Sequence, residues 1–255
     1  METYQISRLG ADPEVLLQDE NGTPRSVIGY INASKWNPMQ IPKMAKGFTL
    51  QEDNVSLEYG IPPASSAEEF TAHIKLVMEK SLPYIKGLTF SKLSCIIFPE
   101  EEMQHPNAHI FGCEPDFNAW TEKMNRKPRP PHEFMRSAGG HIHVETQKDP
   151  VQVIKAMDLF LGVPSVLMDN GEERKKLYGS AGAHRVKSYG VEYRTLSNFW
   201  IFEDRLIKWA WDNSQRAVDC AFDVSVEQER ILAAINGNDK SVAEQLVHDY
   251  QLEVV

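Results

Sequence analysis

Short apolar runs separated by turn residues fill the first hundred positions of the chain. Tyr4 to Leu9 and Glu14 to Gln18 read as strands, Asp19-Glu20-Asn21-Gly22 supplies hairpin-turn chemistry, and Arg25 to Ile31 reads as the next strand. Val55 to Tyr59 is a further short strand, closed by Gly60-Ile61-Pro62-Pro63. The period then changes. Ser65 and Ser66 each stand three residues before a glutamate, Glu68 and Glu69, so either can form a capping box. Phe70, Ile74, Val77, Met78 and Leu82 follow at helical spacing on one apolar face. Leu88 to Phe98 reads as strand, as do His141 to Val144 and Val191 to Leu196. A helix starts between the last two at Asp149-Pro150, an N-cap followed by proline in the first turn. From Glu203 the pattern is helical, over Glu203–Phe222, Val226–Asn236 and Lys240–Tyr250. Strands and helices mix without a regular βαβ rhythm, which predicts an α+β fold with an antiparallel sheet. No repeat or Gly/Ser linker divides the chain, so residues 1–255 are expected to form a single domain, with an ordered proline-dense loop from Lys127 to Pro131.

Composition narrows the classes. Net charge is −9, which disfavours general nucleic-acid binding, because phosphate-backbone contacts need a basic face. The basic clusters Arg126-Lys127-Pro128-Arg129 and Arg174-Lys175-Lys176 read first as solvated surface, the second lying nearer the chemistry described below. No apolar run looks long enough to span a bilayer, and residues 1–5 lack the marks of a secretory signal. Cys95, Cys113 and Cys220 are widely spaced and odd in number, which suits reduced thiols in a cytoplasm. Cys113 reads as a structural thiol, since no neighbouring histidine supports a nucleophile.

The informative feature is a recurrence of charged pairs one position apart. Asp12 and Glu14 flank Pro13, His141 and His143 flank Ile142, and Glu192 and Arg194 flank Tyr193. Side chains at i and i+2 share one face of a strand, so each pair aims two polar groups the same way. Glu58 adds a carboxylate on a further strand, and Gly139-Gly140, before His141, permits a close approach by a ligand or another backbone. Taken singly, each has a bland reading: Asp12-Pro13 as a turn, Glu58 as a solvated strand end, Glu192 and Arg194 as half of an ion-pair ladder. Together on one sheet face, carboxylates and imidazoles would need a divalent cation as partner, Mg²⁺ or Mn²⁺ bridging a polyphosphate. Arg174, Arg185 and Arg194, with Lys175 and Lys187, would then clamp phosphate.

In order along the chain, Gly10-Ala11-Asp12-Pro13-Glu14, Glu58-Tyr59-Gly60-Ile61-Pro62-Pro63-Ala64, Gly139-Gly140-His141-Ile142-His143-Val144 and Glu192-Tyr193-Arg194-Thr195 resemble the carboxylate–amine (COOH–NH2) ligase type 2 family of tailed bacteriophages, a compact relative of glutamine synthetase and glutamate–cysteine ligase. The motifs span about residues 8–200, and the helical tail 201–255 lies beyond them. The resemblance implies a curved antiparallel sheet with helices on its outer face, and ATP and metal ions on the concave face. It implies metal binding by Glu14, Glu58 and Glu192, with Asp12 beside them, and a histidine, His141 or His143, bridging metal and nucleotide phosphate. Arg194 would stabilise the transferring phosphoryl group, with Arg185 as a second phosphate arginine. Either Glu52 or Asp53 would complete the metal site, and Gly112 to Asp116 would line the acceptor pocket.

The expected reaction transfers the ATP γ-phosphoryl group to a substrate carboxylate, and an amine then attacks the acyl phosphate to form an amide. Expected partners are small-molecule or peptide carboxylates and amines, with a homo-oligomer possible, no membrane, and the cytoplasm (the host's, if phage-encoded) as location. Glu192→Ala should abolish activity and leave the fold largely intact. A metal-dependent hydrolase built on His141-Ile142-His143 is the first rival reading, and a nucleotide-binding relative without catalysis the second. A P-loop kinase is excluded, because no Gly-rich loop ends in Gly-Lys-Ser/Thr.

Overall fold

A computed structural model describes residues 7–110, 116–126, 129–175 and 177–255. The strands are β1 (Leu9–Gln18), β2 (Pro24–Arg25), β3 (Met39–Gln40), β4 (Thr49–Asp53), β5 (Ser56–Gly60), β6 (Thr89–Ser91), β7 (Cys95–Ile97), β8 (Phe117–Asn118), β9 (Lys123–Met124), β10 (Met135–Ser137), β11 (Gly140–Glu145), β12 (Ala183–Lys187) and β13 (Gly190–Tyr193). The α-helices are α1 (Ala67–Ser81), α2 (Pro150–Met157), α3 (Val163–Met168), α4 (Glu172–Lys175), α5 (Asp204–Val218), α6 (Gln228–Asn236) and α7 (Lys240–Tyr250). The main sheet is antiparallel and open, in the order β3-β4-β5-β1-β11-β13-β12-β8-β9, with β2 and β6 pairing the end of β1; β7 and β10 form a separate two-stranded sheet.

Alternation along the central strands sorts the faces. Leu9, Ala11, Val15 and Leu17 of β1, Leu57 and Tyr59 of β5, Ile142 and Val144 of β11, and Val191 and Tyr193 of β13 point to one side. There they pack with Phe70 and Ile74 of α1, Ile154 and Met157 of α2, and Trp200, in one continuous core. The positions between them point to the other side and, apart from Gly10 and Leu16, are polar. A second apolar cluster of Leu16, Val55, Ile96, Phe98 and Ala138 covers the far end of that polar face, and with the β7–β10 pair it turns part of the face into a cavity wall.

Helix α2 continues through a π-helical turn, Asp158–Gly162, into α3. The whole run Pro150–Met168 is long and apolar enough to cross a membrane by length and composition, unlike the expectation from the sequence. The fold explains why it is apolar on all sides. It lies between the sheet and the C-terminal helices, and 72% of it is buried.

Several expected boundaries move. Asp12-Pro13 is not a turn: β1 runs through it for ten residues, and the β1–β5 ladder, Glu14–Glu58 and Val15–Leu57, stops at Pro13, which has no N–H to extend it. Of the expected strand Tyr4 to Leu9, residues 4–6 lie outside the described residues. Arg25 to Ile31 is strand only at its first residue, because Glu52 Oε1 accepts hydrogen bonds from the N–H groups of Gly29, Ile31 and Asn32 and gathers this segment into turns. Leu88 to Phe98 splits into β6 and β7, which belong to different sheets. The α1 start is as expected: Ser66 caps the Glu69 N–H, and Glu69 reaches back to the Ser65 N–H.

Candidate active site

The register of the central strands lines up the polar positions as rungs. Glu58 of β5 sits opposite Glu14 of β1, Asp12 opposite His141 of β11, His143 opposite Glu192 of β13, and Glu192 opposite Arg185 of β12. Residues 185 and 187, 192 and 194, 141 and 143, and 12 and 14 therefore share one face. They surround a cavity of about 140 Å³ whose walls include Asp12, Glu14, Asp53, Glu58, His141 and Arg194. Of the expected site residues, Asp12, Glu14, Glu58, His141, Arg174, Arg185 and Arg194 lie in this cavity wall, and His143 and Glu192 touch residues that do.

The cation-rich end is built around Glu192, which is fully buried. Its Oε1 pairs with Arg194 Nη1 and, at 3.4 Å, with Arg185 Nη1, while Oε2 lies 2.7 Å from Lys187 Nζ. Burial and the Asp12 charge push its carboxyl up, but Arg194, His141 and His143 outweigh them and hold it at about 2. Glu192→Ala would leave Arg194, Arg185 and Lys187 without their shared carboxylate, so a loss of stability is expected beside the loss of activity. Arg194 is held on its other side by Asp116, 3.6 Å away. Residues 112–115 of the expected acceptor motif, including Cys113, lie outside the described residues, as does Lys176.

The two histidines differ. His141 is buried, with Nδ1 at 3.4 Å from Asp12 Oδ1 and 3.2 Å from Arg194 Nη1. Burial and the Arg194 charge lower it to about 4, so it is a neutral imidazole suited to ligating a cation. His143 bonds Tyr189 OH through Nδ1 and places Nε2 at 2.9 Å from Asp12 Oδ1. Burial alone would lower its pKa, but Asp12 raises it above the usual value. Tyr189 thus takes Nδ1, while Nε2 faces Asp12 without an aligned hydrogen bond, and His143 does not itself line the cavity.

Three half-buried carboxylates occupy the opposite end. Glu14 Oε2 accepts the Gly139 N–H and Glu58 Oε2 accepts Gln51 Nε2, at 2.7 and 2.6 Å. Burial, and then the Asp53 charge, push Glu14 up to about 7. Burial and the charges of Asp12, Asp53 and Glu14 push Glu58 well above the usual range, and burial raises Asp53. Asp53 is the acid left open by the sequence; Glu52, one residue away, faces the other side of the strand and is spent on backbone N–H groups.

The donor set fits a divalent cation. Ligand atoms of Asp12, His143 and Glu192 lie within 4.8 Å of one another, and Asp12 Oδ1, His143 Nε2 and Glu192 Oε2 are buried without an aligned hydrogen bond. Oxygen donors with one imidazole suit Mg²⁺ or Mn²⁺. Neutral His141 and the crowded Glu14, Glu58 and Asp53 add donors whose mutual repulsion a cation would relieve.

The paired glycines have a structural reason. A Cβ on Gly140 would lie 2.4 Å from Ser197 O and Trp200 Nε1, and one on Gly139 would lie 2.3 Å from His141 Nε2. Gly139→Ala is expected to displace the His141 ring while the melting temperature changes little. Tighter metal binding, or binding equal to that of the wild type, in a calorimetric Mn²⁺ titration would contradict this.

Sequence reasoning missed Asp158, Tyr178, Lys35 and strand β12, where His184 also sits with Nδ1 on Gly182 O. Asp158 had a readable signal, being the one acid in the apolar run 150–168. It is fully buried in the π-helical turn and accepts four hydrogen bonds, from Trp120 Nε1, Tyr193 OH, the Gly182 N–H and Thr195 Oγ1. It thereby ties the back of β13 and the start of β12, the strands that carry Arg194 and Arg185.

Residues 130–214 match a family model described as phage phiEco32-like COOH.NH2 ligase-type 2. The match covers about a third of the chain and contains His141, His143, Arg174, Arg185, Glu192 and Arg194, whereas Asp12, Glu14, Asp53 and Glu58 lie outside it. No curated protein matches the chain. The family description is that of a carboxylate–amine ligase.

Proposed function

We propose that this chain is an ATP- and Mg²⁺-dependent carboxylate–amine ligase of glutamine-synthetase-like fold, joining a small-molecule or peptide carboxylate to an amine with release of ADP and phosphate. One observation carries the reading: on one sheet face, a half-buried row of four carboxylates, with Lys35 and Arg174 nearby, adjoins a cluster of three cationic side chains gathered on Glu192. An excess of acid at one end and of cations at the other suits a triphosphate whose charge divalent ions share with the acidic end.

When bound, the metal ions neutralise phosphate charge and orient the γ-phosphoryl group. Asp12, Glu14, Asp53, Glu58, His141 and one oxygen of Glu192 would hold them. Arg194 would donate to the equatorial oxygens of the transferring group, and Arg185 and Lys187 to the neighbouring phosphates. Glu192 then serves chiefly to hold those three cations in place, with one oxygen oriented toward Asp12 and His143. His143, bonded to Tyr189 and with its pKa raised by Asp12, would in turn favour the ionised form of Asp12. Exclusion of water by the β7–β10 cover would protect the acyl phosphate until an amine arrives.

Hydroxylamine as the amine separates the readings. Incubation with ATP, Mg²⁺, hydroxylamine and a panel of carboxylates is expected to yield a hydroxamate and one ADP per product. ADP formation without hydroxamate for any carboxylate, or hydroxamate without ATP, would reject the ligase reading.

A further inference from the structure

Tyr178 reaches the cavity from off the sheet. Its N–H and that of Leu177 both donate to Arg174 O at 2.8 Å, which closes a turn just past α4. Gly179 follows at φ 82° and packs against the chain beyond β13, where a Cβ on it would lie 2.5 Å from Thr195 O. The backbone is pinned at this point, and the half-buried ring extends from it into the cavity wall. The charges of Glu14, Asp53, Arg194 and Asp116 all act on the hydroxyl, so it faces the ground between the acidic and cationic ends. Burial, then Glu14 and Asp53, push its pKa up, which keeps the phenol protonated. Ser56 and Asn54, in the same wall, spend their donors on Asp53 O and Ile110 O. Tyr178 OH has no hydrogen-bond partner among the described residues.

A tyrosine hydroxyl inside a protein normally finds a partner, and one left open beside a cavity is directed at a ligand. The phosphates have Arg194, Arg185 and Lys187, and the metal ions have the carboxylates. The acyl group between them has neither. We infer that Tyr178 OH donates to the acyl oxygen of the donor substrate and stabilises the oxyanion formed when the amine attacks the acyl phosphate. This rests on the ligase reading above and makes Tyr178 a catalytic residue of the second half-reaction. In the first, the carboxylate gives up charge as one oxygen bonds to phosphorus, so a donor on the other oxygen adds nothing to the rate. In the second, the amine nitrogen bonds to the acyl carbon and the C=O π pair moves onto the acyl oxygen. A hydrogen bond to that oxygen strengthens as the charge arrives. The pair then returns, the bond from carbon to the phosphate oxygen breaks, and the surplus amine proton passes to the departing phosphate.

Tyr178→Phe separates the two half-reactions, assayed with ATP, Mg²⁺, saturating hydroxylamine and whichever carboxylate gives the wild type most hydroxamate. Steady-state hydroxamate formation is expected to fall by about 10²-fold or more, the range for loss of one oxyanion donor. Acid-quenched first turnovers are expected to keep a burst of about one ADP per site, at a rate within about threefold of the wild type. Because the hydroxyl holds no protein partner, the melting temperature and the affinity for Mn²⁺ and the non-hydrolysable analogue AMP-PNP are expected to stay at wild-type values. Hydroxamate formation within about fivefold of the wild type would overturn the assignment. So would an ADP burst slowed as much as turnover, or a lost rate matched by weaker AMP-PNP binding or a lower melting temperature. Absence of hydroxamate from the wild type with every carboxylate would instead sink the ligase reading, and this one with it.

Discussion

Arg194→Met is expected to lower the rate of hydroxamate formation by roughly 10³-fold or more, the range found where an arginine stabilises a transferring phosphoryl group. The expectation follows from its place. Arg194 is the cation that touches both Glu192 and His141 and is fixed by Asp116, so its guanidinium stands between the acidic and basic ends of the cavity. Its charge is secured there: burial alone would lower its pKa, but Glu192, Asp12 and Glu14 hold it above the ordinary value. Stability should suffer far less than rate, because Glu192 keeps Lys187 and Arg185. Arg194→Lys is expected to restore only part of the loss, since an ammonium cannot reproduce the planar fork. A steady-state assay of both variants, with melting curves, checks this; a rate within tenfold of the wild type for Arg194→Met would remove it from the chemistry.

Asp158→Ala is expected to cost about 3 kcal/mol or more of folding stability, read from urea unfolding, because it leaves Trp120 Nε1, Tyr193 OH and the Gly182 N–H without an acceptor, while Thr195 Oγ1 keeps Ser180 O. Asp158→Asn is expected to cost nearly as much: its amide nitrogen would face donors on one side. The pH dependence has a sign that follows from burial. Burial pushes the Asp158 carboxyl up to about 7, and the four donors pull it back only partly. The folded form therefore binds its proton more tightly than the unfolded form, whose ordinary value is 3.8. That contribution is complete below pH 3.8 and is lost as pH rises toward 7. Asp158→Asn should flatten this part of the stability curve. Unfolding curves at pH 5 and pH 8 that leave the wild-type slope unchanged in the variant would contradict the assignment.

The sequence showed the site better than the frame around it. Pairs at i and i+2 are legible because strand geometry alone puts them on one face, and all of Asp12, Glu14, His141, Glu192 and Arg194 meet at the cavity or its edge. What local pattern could not give is register. Only the pairing of β1 with β5 and β11 sets Glu14 against Glu58 and Asp12 against His141. His143 looked equivalent to His141, yet Tyr189, 46 residues on, captures its second nitrogen. The choice between Glu52 and Asp53 depended on which of two adjacent side chains faces the cavity, and that follows from where β4 pairs. The strands β4 and β12 escaped notice because their charged positions, Asp53, Arg185 and Lys187, break the apolar alternation at the places where the site is built.

The central claim is that the carboxylate row and His141 take up divalent cations beneath a triphosphate. Anomalous diffraction at the manganese edge, from crystals grown with Mn²⁺ and AMP-PNP, tests it most directly. The account predicts manganese peaks within bonding distance of carboxylate oxygens of Asp12, Glu14, Asp53 or Glu58 and of His141, with the γ-phosphate beside Arg194. Manganese bound only elsewhere on the protein, or phosphates lying away from Arg194, would contradict it.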